Sequence, residues 1–275
     1  MNSEKILLND GNSIPKIGFG VYKIDGQHMA ESVRAAYAAG YRLFDTASFY
    51  KNEEYLGSAL KTLNISRHDI QIATKVWPTE MGCRGVKDAL LRSLEKLQTD
   101  YVDLYFIHWP VKDRELLRKS WKSMEELKDE GLVRSVAVCN FKPHHLRTIE
   151  EGQKYPPVIN QIERHPLLTQ TETINYGRSK NIVTEAWSPL MRGNKVMNLD
   201  VVRRLAEKYG KTPAQIILNW NIQQGVVPIP KSVTPSRIVE NINVFDFALT
   251  QDELCKIDAL NRDERSGEDP DNYKY

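Results

Sequence analysis

Short apolar runs alternate with longer amphipathic runs along most of this 275-residue chain. The apolar runs are rich in branched and aromatic side chains, as expected of strands that are buried on both faces. These strand candidates are YRLFD (41–45), IQIATKV (70–76), VDLYFIHW (102–109), VRSVAVC (133–139), PVINQI (157–162), IVTEA (182–186) and VVPIP (226–230). Before them, KILL, the turn cluster NDGN and SIPKIGFG predict a small hairpin that leads into a first strand.

Amphipathic runs with helical periodicity lie between the strand candidates. The first four are MAESVRAAYAA, EEYLGSALKTL, GVKDALLRSLEKL and LLRKSWKSMEELKDEG. Gly131 ends the fourth run as a C-terminal cap, and Pro143 opens the next helix at a favoured early position. PAQIILNWNIQQG and PSRIVENINVF predict two more helices late in the chain.

This alternation indicates parallel strands joined by crossover helices. About eight strand–helix units fit into about 250 residues, the usual size of a (β/α)8 barrel. We therefore expect a single α/β domain over residues 1–275, a (β/α)8 TIM barrel with a short N-terminal β-hairpin. The alternative is an open doubly wound sheet. It is weaker, because IGFG (17–20) lacks the third glycine of the GxGxxG dinucleotide fingerprint and does not open a helix at once.

Composition narrows the class of protein without identifying it. A net charge of +2 gives no reason to expect nucleic acid or a membrane as a partner. The N-terminus lacks the apolar core of a secretory signal, and the three cysteines are scattered, so we expect reduced thiols in a cytoplasmic protein. The six histidines show no metal-ligand spacing, and no metal is expected.

Ionisable residues stand where three consecutive strand candidates end. Asp45, Lys75 and His108 occupy these positions, and Tyr50 lies in the loop after Asp45. Each residue alone could have a purely structural role, as a helix cap, a surface charge or a core side chain. However, the carboxyl ends of the strands in a barrel lie on one face, so these residues would lie close together. There an ammonium would lower the pKa of a nearby phenol, a carboxylate would keep that lysine charged, and a histidine would orient a carbonyl oxygen. Together they describe an acid catalyst for carbonyl reduction.

Six motifs in family order and spacing resemble those of the aldo-keto reductase superfamily. They are FDTASFYKNE (44–53), ATKVW (73–77), DLYFIHWP (103–110), NQIERHP (160–166), AWSPL (186–190) and IPKSVTPSRIVEN (229–241). The resemblance covers nearly the whole chain and implies the barrel fold, NADPH as cofactor and a catalytic tetrad of Tyr50, Lys75, Asp45 and His108. Tyr50 would be the proton donor to the carbonyl oxygen. The sequence looks closest to the bacterial branch with 2,5-diketo-gluconate and methylglyoxal reductases.

The resemblance also implies where NADPH would lie, extended across the barrel mouth. Asn140 and Gln161 would bind the carboxamide, Trp187 would stack on the nicotinamide, and Ser188 and Leu190 would lie beside the pyrophosphate. The adenosine end would be held by Lys231, Ser232, Arg237, Glu240 and Asn241. Physical reasoning supports this last site, because two cations beside a helix N-terminus form a phosphate site.

Two residues depart from the family pattern. Cys139 stands where the family has a serine that contacts the carboxamide, and a thiol is a poorer hydrogen-bond partner. It could be oxidised at the mouth of the site, although we expect burial to keep it inert. Arg164 stands where an aromatic or small residue is usual, and the sequence offers no interpretation of it.

The resemblance places Tyr22, Trp77 and Trp109 in the substrate pocket, and short rim segments suggest that the pocket is open. We expect it to accept small α-dicarbonyls, aldehydes and keto-sugars. Two alternatives stay open: a regulatory barrel that senses NADPH with slow turnover, and a barrel lyase or isomerase without a nicotinamide. A monomer is expected from the family alone.

Overall fold

The computed structural model describes residues 5–193 and 195–275 of the chain. These begin with an antiparallel hairpin of β1 (Lys5–Leu7) and β2 (Ser13–Pro15). Gly11 adopts a φ of 85° in its turn, a conformation that favours glycine. Leu8 and Ile14 pack with Leu43 and Leu104 inside the barrel, so the hairpin closes the end at which the strands begin.

Eight parallel strands follow in chain order around one sheet. They are β3 (Phe19–Gly20), β4 (Leu43–Asp45), β5 (Gln71–Val76), β6 (Val102–Ile107), β7 (Val133–Cys139), β8 (Ile159–Glu163), β9 (Val183–Trp187) and β10 (Val226–Pro228). Amide hydrogen bonds from Gly18 to the Pro228 carbonyl (3.1 Å) and from Gly20 to the Pro230 carbonyl (3.0 Å) join the first strand region to the last. The expected barrel and hairpin are confirmed, and an open doubly wound sheet is excluded because its strand order reverses.

The helices lie outside the sheet, and most of them bury their apolar faces against it. They are α1 (Gly26–Ala39), α2 (Glu53–Thr62), α3 (Cys83–Leu97), α4 (Arg114–Asp129), α5 (Pro143–Glu150), α6 (Thr171–Ser179), α7 (Asp200–Tyr209), α8 (Pro213–Gln223), α9 (Pro235–Ile242) and α10 (Gln251–Asp258). Gly131 follows α4 with a φ of 77° and Pro143 opens α5, as predicted. Among the described residues, no helix combines the length and apolar character that crossing a membrane requires.

Three helices, α6, α7 and α10, were not predicted. Helices α7 and α10 pack on α8 in a core of their own, separate from the main core between barrel and helices. Its largest buried members are Trp220, Ile216, Ile217, Leu167 and Ile257. This extra layer covers one side of the barrel and leaves the strand ends open to the loops that build the site.

Candidate active site

The carboxyl ends of β4, β5 and β6 bring the predicted tetrad together. The Lys75 ammonium donates to Asp45 Oδ2 at 2.5 Å and to the Thr46 carbonyl at 2.9 Å, with both charged side chains buried. The Tyr50 ring centroid lies 5.4 Å from Lys75 Nζ and 5.5 Å from the His108 ring. Residues far apart in sequence therefore form one cluster at the barrel mouth.

The loop that carries Tyr50 is held by a buried asparagine. Asn52 donates through Nδ2 to the carbonyls of Val21 (2.8 Å) and Ile24 (3.1 Å), and its Oδ1 accepts from the Thr46 hydroxyl at 2.9 Å. These bonds connect the loops after β3 and β4. Asn52 lies within FDTASFYKNE, but its positioning role was missed, because only the structure shows which carbonyls lie nearby.

Burial sets the protonation states of His108 and Tyr50. Burial and the Lys75 charge hold the pKa of His108 well below its usual value, so its imidazole is neutral at pH 7. Burial and the Asp45 charge raise the pKa of Tyr50 well above its usual value. The prediction of a lowered pKa is therefore wrong, because burial and the Asp45 charge dominate in this structure. The phenol stays protonated at neutral pH, as a proton donor must.

A hydrogen-bond network joins the tetrad to the residues predicted to bind the nicotinamide. Gln161 Nε2 donates to Asp45 Oδ2 at 3.0 Å. Asn140, in the left-handed region with a φ of 65°, donates to the His108 carbonyl at 3.0 Å. Its Oδ1 accepts from the Trp187 indole N–H at 2.8 Å. Asn140, Gln161 and Trp187 thus converge beside the four candidate catalytic residues.

Cys139 is buried within this network. Its thiol lies 3.6 Å from Gln161 Oε1, and it accepts from Asn140 Nδ2 at 3.2 Å. Burial raises the pKa of the Cys139 thiol strongly. The expectation of a buried thiol is confirmed, and its protonated state opposes oxidation.

The C-terminal segment lies against the other side of this network. Glu163 accepts amide hydrogen bonds from Ser266 (2.6 Å) and Gly267 (3.2 Å). A Cβ on Gly267 would lie only 2.5 Å from Trp187 Cη2, so glycine permits this close approach. Ser188, with a φ of 49°, places its hydroxyl 3.5 Å from that of Ser266. Ser188 and half-buried Leu190, the residues predicted to lie beside the pyrophosphate, follow β9.

The residues predicted for the adenosine end divide into two groups. Lys231 and Arg237 are exposed beside the start of α9, and Ser232 Oγ accepts from the Thr234 amide at 3.0 Å. Asn241 is buried, and the Glu240 carboxylate accepts from the Thr212 hydroxyl at 2.9 Å. The first group faces outward, whereas the last two contact protein groups in this structure.

Aromatic side chains surround the opening above the tetrad. The Tyr22 ring lies 4.7 Å from Tyr50, and Trp77 lies 5.0 Å from His108. Phe49 stacks on Trp77 at 3.8 Å. The sequence reasoning missed Phe49, although it directly precedes the predicted proton donor.

The C-terminal tail adds two further aromatic residues to this opening. Tyr273 stacks on Trp109 at 4.1 Å, and the Tyr275 ring lies 6.1 Å from Trp77. The Lys142 ammonium holds the tail through Asp269 (2.7 Å) and Asp271 (2.6 Å). The tail therefore narrows the opening of the substrate pocket. The short rim segments had led us to expect an open pocket.

His144, His145 and Asp271 bring three potential metal ligands within 4.8 Å of one another. However, His145 Nδ1 accepts from the Lys142 amide at 3.1 Å, so the proton of the neutral ring lies on Nε2, which faces Asp271. His144 Nε2 lies 3.0 Å from the same carboxylate, which Lys142 also contacts. These contacts describe an ion-pair network that anchors the tail.

The fold and the ionisable cluster at the barrel mouth have the arrangement of an enzyme active site, and comparison with known proteins identifies the family. A model described as the Aldo/keto reductase family matches residues 16–262, and the chain belongs to this family. It is 46% identical over 273 residues to the methylglyoxal reductase DkgA of Escherichia coli (strain K12), covering 99% of this chain and 98% of that protein. The glyoxal reductase of Bacillus subtilis (strain 168) is 45% identical over 273 residues, with the same coverage.

Solved structures are similar over the whole chain. A mutant of Gox0644 in complex with NADPH has a TM-score of 0.94 and 37% identity, with full coverage of both chains. MGS-M4, an aldo-keto reductase enzyme from a deep-sea metagenome library, has a TM-score of 0.95 and 37% identity, covering 99% of this chain and all of that one.

Proposed function

We propose that the chain reduces small aldehydes and ketones to alcohols with NADPH, and that Tyr50 donates the proton. The observation that carries this proposal is the convergence of Tyr50 and His108 on the buried Lys75–Asp45 ion pair. A protonated phenol, a neutral imidazole and an ammonium within one largely buried cluster suit protonation of a carbonyl oxygen.

The chemistry assigns one role to each group. NADPH, when bound, supplies the hydride that reduces the carbonyl carbon. Tyr50 gives its hydroxyl proton to the carbonyl oxygen, and the C=O double bond becomes a C–O single bond. The phenolate left behind is stabilised by the Lys75 ammonium, whose charge Asp45 maintains. His108, neutral and buried, orients the carbonyl oxygen by hydrogen bonding.

The residues at the barrel mouth suit NADPH. Asn140 and Gln161 offer amides beside the tetrad, and the Trp187 ring lies next to them for stacking on the nicotinamide. Thr234 makes no side-chain cap at the start of α9, so the amides of that helix remain able to bind phosphate. Lys231 and Arg237 stand beside it, with Ser232, and we propose that they bind the 2′-phosphate. Ser188 and Leu190 would lie along the pyrophosphate, with Glu240 and Asn241 near the adenosine.

Small carbonyl compounds are the proposed substrates. The opening is lined by Tyr22, Phe49, Trp77 and Trp109, which provide apolar walls around a polar centre. The relatives named methylglyoxal reductase and glyoxal reductase support small α-dicarbonyls, and the NADPH complex of Gox0644 supports the cofactor. We extend the range to other aldehydes and keto-sugars.

The three cysteines support a cytoplasmic location. Cys83 and Cys255 are exposed free thiols, and Cys139 is a buried one. Free thiols are typical of proteins in reducing compartments, where NADPH-dependent reductases work. We therefore propose that the protein acts in the cytoplasm, and that it does so as a monomer.

The test is NADPH consumption, followed by its absorbance, with methylglyoxal, phenylglyoxal, a nitrobenzaldehyde, an aldose and a diketo-sugar acid. Tyr50→Phe should lower kcat about 100-fold or more, because general acid catalysis is lost. NADPH affinity should stay near the wild-type value. Tyr55→Phe, which removes a hydroxyl from an exposed ring on α2, is the matched control and should keep full activity.

Two outcomes would redirect the assignment. Nearly full activity of Tyr50→Phe would exclude this residue as the proton donor. Tight NADPH binding by the wild type without turnover on any substrate would favour the regulatory barrel, and absence of NADPH binding would favour a lyase or isomerase.

A further inference from the structure

Three polar side chains occupy paired positions on adjacent strands inside the barrel. Cys139 on β7 is in register with Gln161 on β8, which is in register with Glu185 on β9. Gln161 Nε2 donates to Glu185 Oε2 at 2.9 Å as well as to Asp45 Oδ2 at 3.0 Å. Two carboxyl groups therefore hold the N–H side of one amide, and its oxygen lies toward Cys139.

The stability of the fold does not explain why a glutamate occupies position 185. Its side chain is buried, and its Oε1 has no hydrogen-bond partner among the described residues. Burial and the nearby Asp45 raise the pKa of Glu185 to about 8. An apolar side chain of similar size in such a place is often neutral or stabilising, whereas a buried polar atom without a partner costs free energy. An acid kept there is characteristic of a functional site.

We propose that Glu185 is a positioning residue that orients the Gln161 amide for the nicotinamide end of the cofactor. Its carboxyl fixes the Gln161 N–H groups on one side, so that the amide oxygen is presented on the side of Cys139 and Asn140. Without this acceptor, one Gln161 N–H would be left unpaired. Rotation of the amide toward another acceptor would then be favoured. This inference rests on the proposed function, because it assumes that NADPH binds at this network.

Glu185 also adds a titratable charge beneath the same site. The ionisable groups of the surrounding network are Asp45 on β4, Lys75 on β5, His108 after β6, Cys139 on β7 and Tyr50 in the loop after β4. Lys75 and Asp45 pair with each other, burial keeps His108 neutral, and it raises the pKa of Tyr50 and of Cys139. The raised pKa of Glu185, about 8, places a change of its own charge between pH 7 and 9. The oxidised nicotinamide carries a positive charge and the reduced one does not, so ionised Glu185 favours NADP⁺ over NADPH.

The experiment compares affinities for NADPH, NADP⁺ and 2′,5′-ADP, which lacks the nicotinamide end. Glu185→Leu should weaken NADPH binding about tenfold, the equivalent of one buried hydrogen bond. It should leave 2′,5′-ADP affinity and thermal stability near the wild-type values. Glu185→Gln retains an acceptor for Gln161 and should restore NADPH affinity.

The pH dependence supplies a second measurement that a purely structural role would not affect. From pH 7 to 9, the wild-type ratio Kd(NADPH)/Kd(NADP⁺) should rise, and in Glu185→Gln it should stay constant. Glu53→Gln is the matched control. Glu53 is a buried glutamate on α2 that accepts from the Thr74 hydroxyl at 2.6 Å. This variant should keep the wild-type pH dependence.

Unchanged NADPH affinity in Glu185→Leu, or an equal loss for 2′,5′-ADP, would overturn the inference while leaving the proposed function intact. A constant wild-type ratio, or a constant ratio in Glu53→Gln, would refute the assignment of the charge to Glu185. A wild-type protein that binds 2′,5′-ADP and not NADPH, or binds neither, would refute the proposed function and this inference with it.

Discussion

Burial determines the chemistry of Cys139, a residue that sequence comparison alone marks as unusual. The thiol lies between Asn140 and Gln161, and its raised pKa keeps it protonated at neutral pH. The thiolate is the reactive form, so Cys139 should resist alkylation although it lies within the network of the site. Cys83 and Cys255 are exposed and lack this protection.

Labelling with iodoacetamide should therefore modify two of the three cysteines in the folded protein and all three in denaturant. Peptide mapping would identify Cys139 as the thiol protected in the native state. NADPH affinity should be unchanged after native labelling, because neither exposed cysteine belongs to the site. Modification of Cys139 under native conditions at a rate similar to Cys83 would show that the site opens to solvent.

Arg164, which the sequence leaves uninterpreted, has a structural explanation. Its guanidinium lies over the Trp220 ring at 3.8 Å to the centroid and donates to the Thr169 carbonyl at 3.3 Å and to Gln224 Oε1 at 2.8 Å. It also donates to Asn221. The arginine thus ties the loop after β8 to α8. A small or aromatic residue would not supply these donors, and two of the acceptors, on Asn221 and Gln224, lie 57 and 60 positions further along the chain.

At the scale of elements, closure of the barrel depends on glycine where the first and last strands meet. A Cβ at Gly18 would lie 2.6 Å from Ile229 Cδ1 and 3.0 Å from Leu43 Cδ2, both of them buried side chains. Gly18→Ala should destabilise the fold by about 1–3 kcal/mol, the usual cost of overpacking a core. Urea unfolding would measure the change.

Gly177→Ala on α6 is the matched control, because its Cβ would lie 3.4 Å from the nearest atom, the Ile182 carbonyl oxygen. Alanine favours a helix over glycine, so this variant should be neutral or stabilised by about 0.5–1 kcal/mol. Equal stability of Gly18→Ala and the wild type would show that the two strands separate at little cost.

The sequence predicts the elements on which the site depends better than those of the outer layer. Asp45, Lys75 and His108 could be placed on one face because strand ends in a parallel barrel meet there. Helices α7 and α10 were not predicted, because the (β/α)8 pattern used for the prediction has one helix after each strand and these two are additional. The signal existed, since Thr250 and Glu253 form a capping box at the start of α10.

Contacts between distant segments could not be predicted in the same way. The pKa of Tyr50 was expected to fall because Lys75 is near, yet it rises, since its direction depends on burial and on the Asp45 charge. The sequence places Glu185 in a predicted strand and assigns it no role, although an acidic residue within the apolar run IVTEA indicates a possible functional position. Its role depends on register with Gln161 and on a shared hydrogen bond, which local pattern does not contain.

At the scale of the whole molecule, the chain's C-terminus returns to the mouth of the barrel. The tail is anchored where Lys142 contacts Asp269 and Asp271, and Glu163 holds its beginning near Trp187. Beyond this anchor, Tyr273 lies on Trp109 and Tyr275 on Trp77. The tail thus contributes one wall of the proposed substrate opening while remaining separate from the tetrad.

Deleting residues 272–275 should therefore raise KM for small dicarbonyls about threefold to tenfold, the equivalent of one or two lost aromatic contacts. The NADPH Kd should change little, because none of the residues proposed to bind the cofactor lies in the deleted segment. Lys274→Ala, which removes an exposed charge within the same tail, should leave both values unchanged. A parallel loss of NADPH affinity in the deletion would mean that the tail supports the cofactor site through Trp187, and an unchanged KM would mean that substrates do not contact this wall.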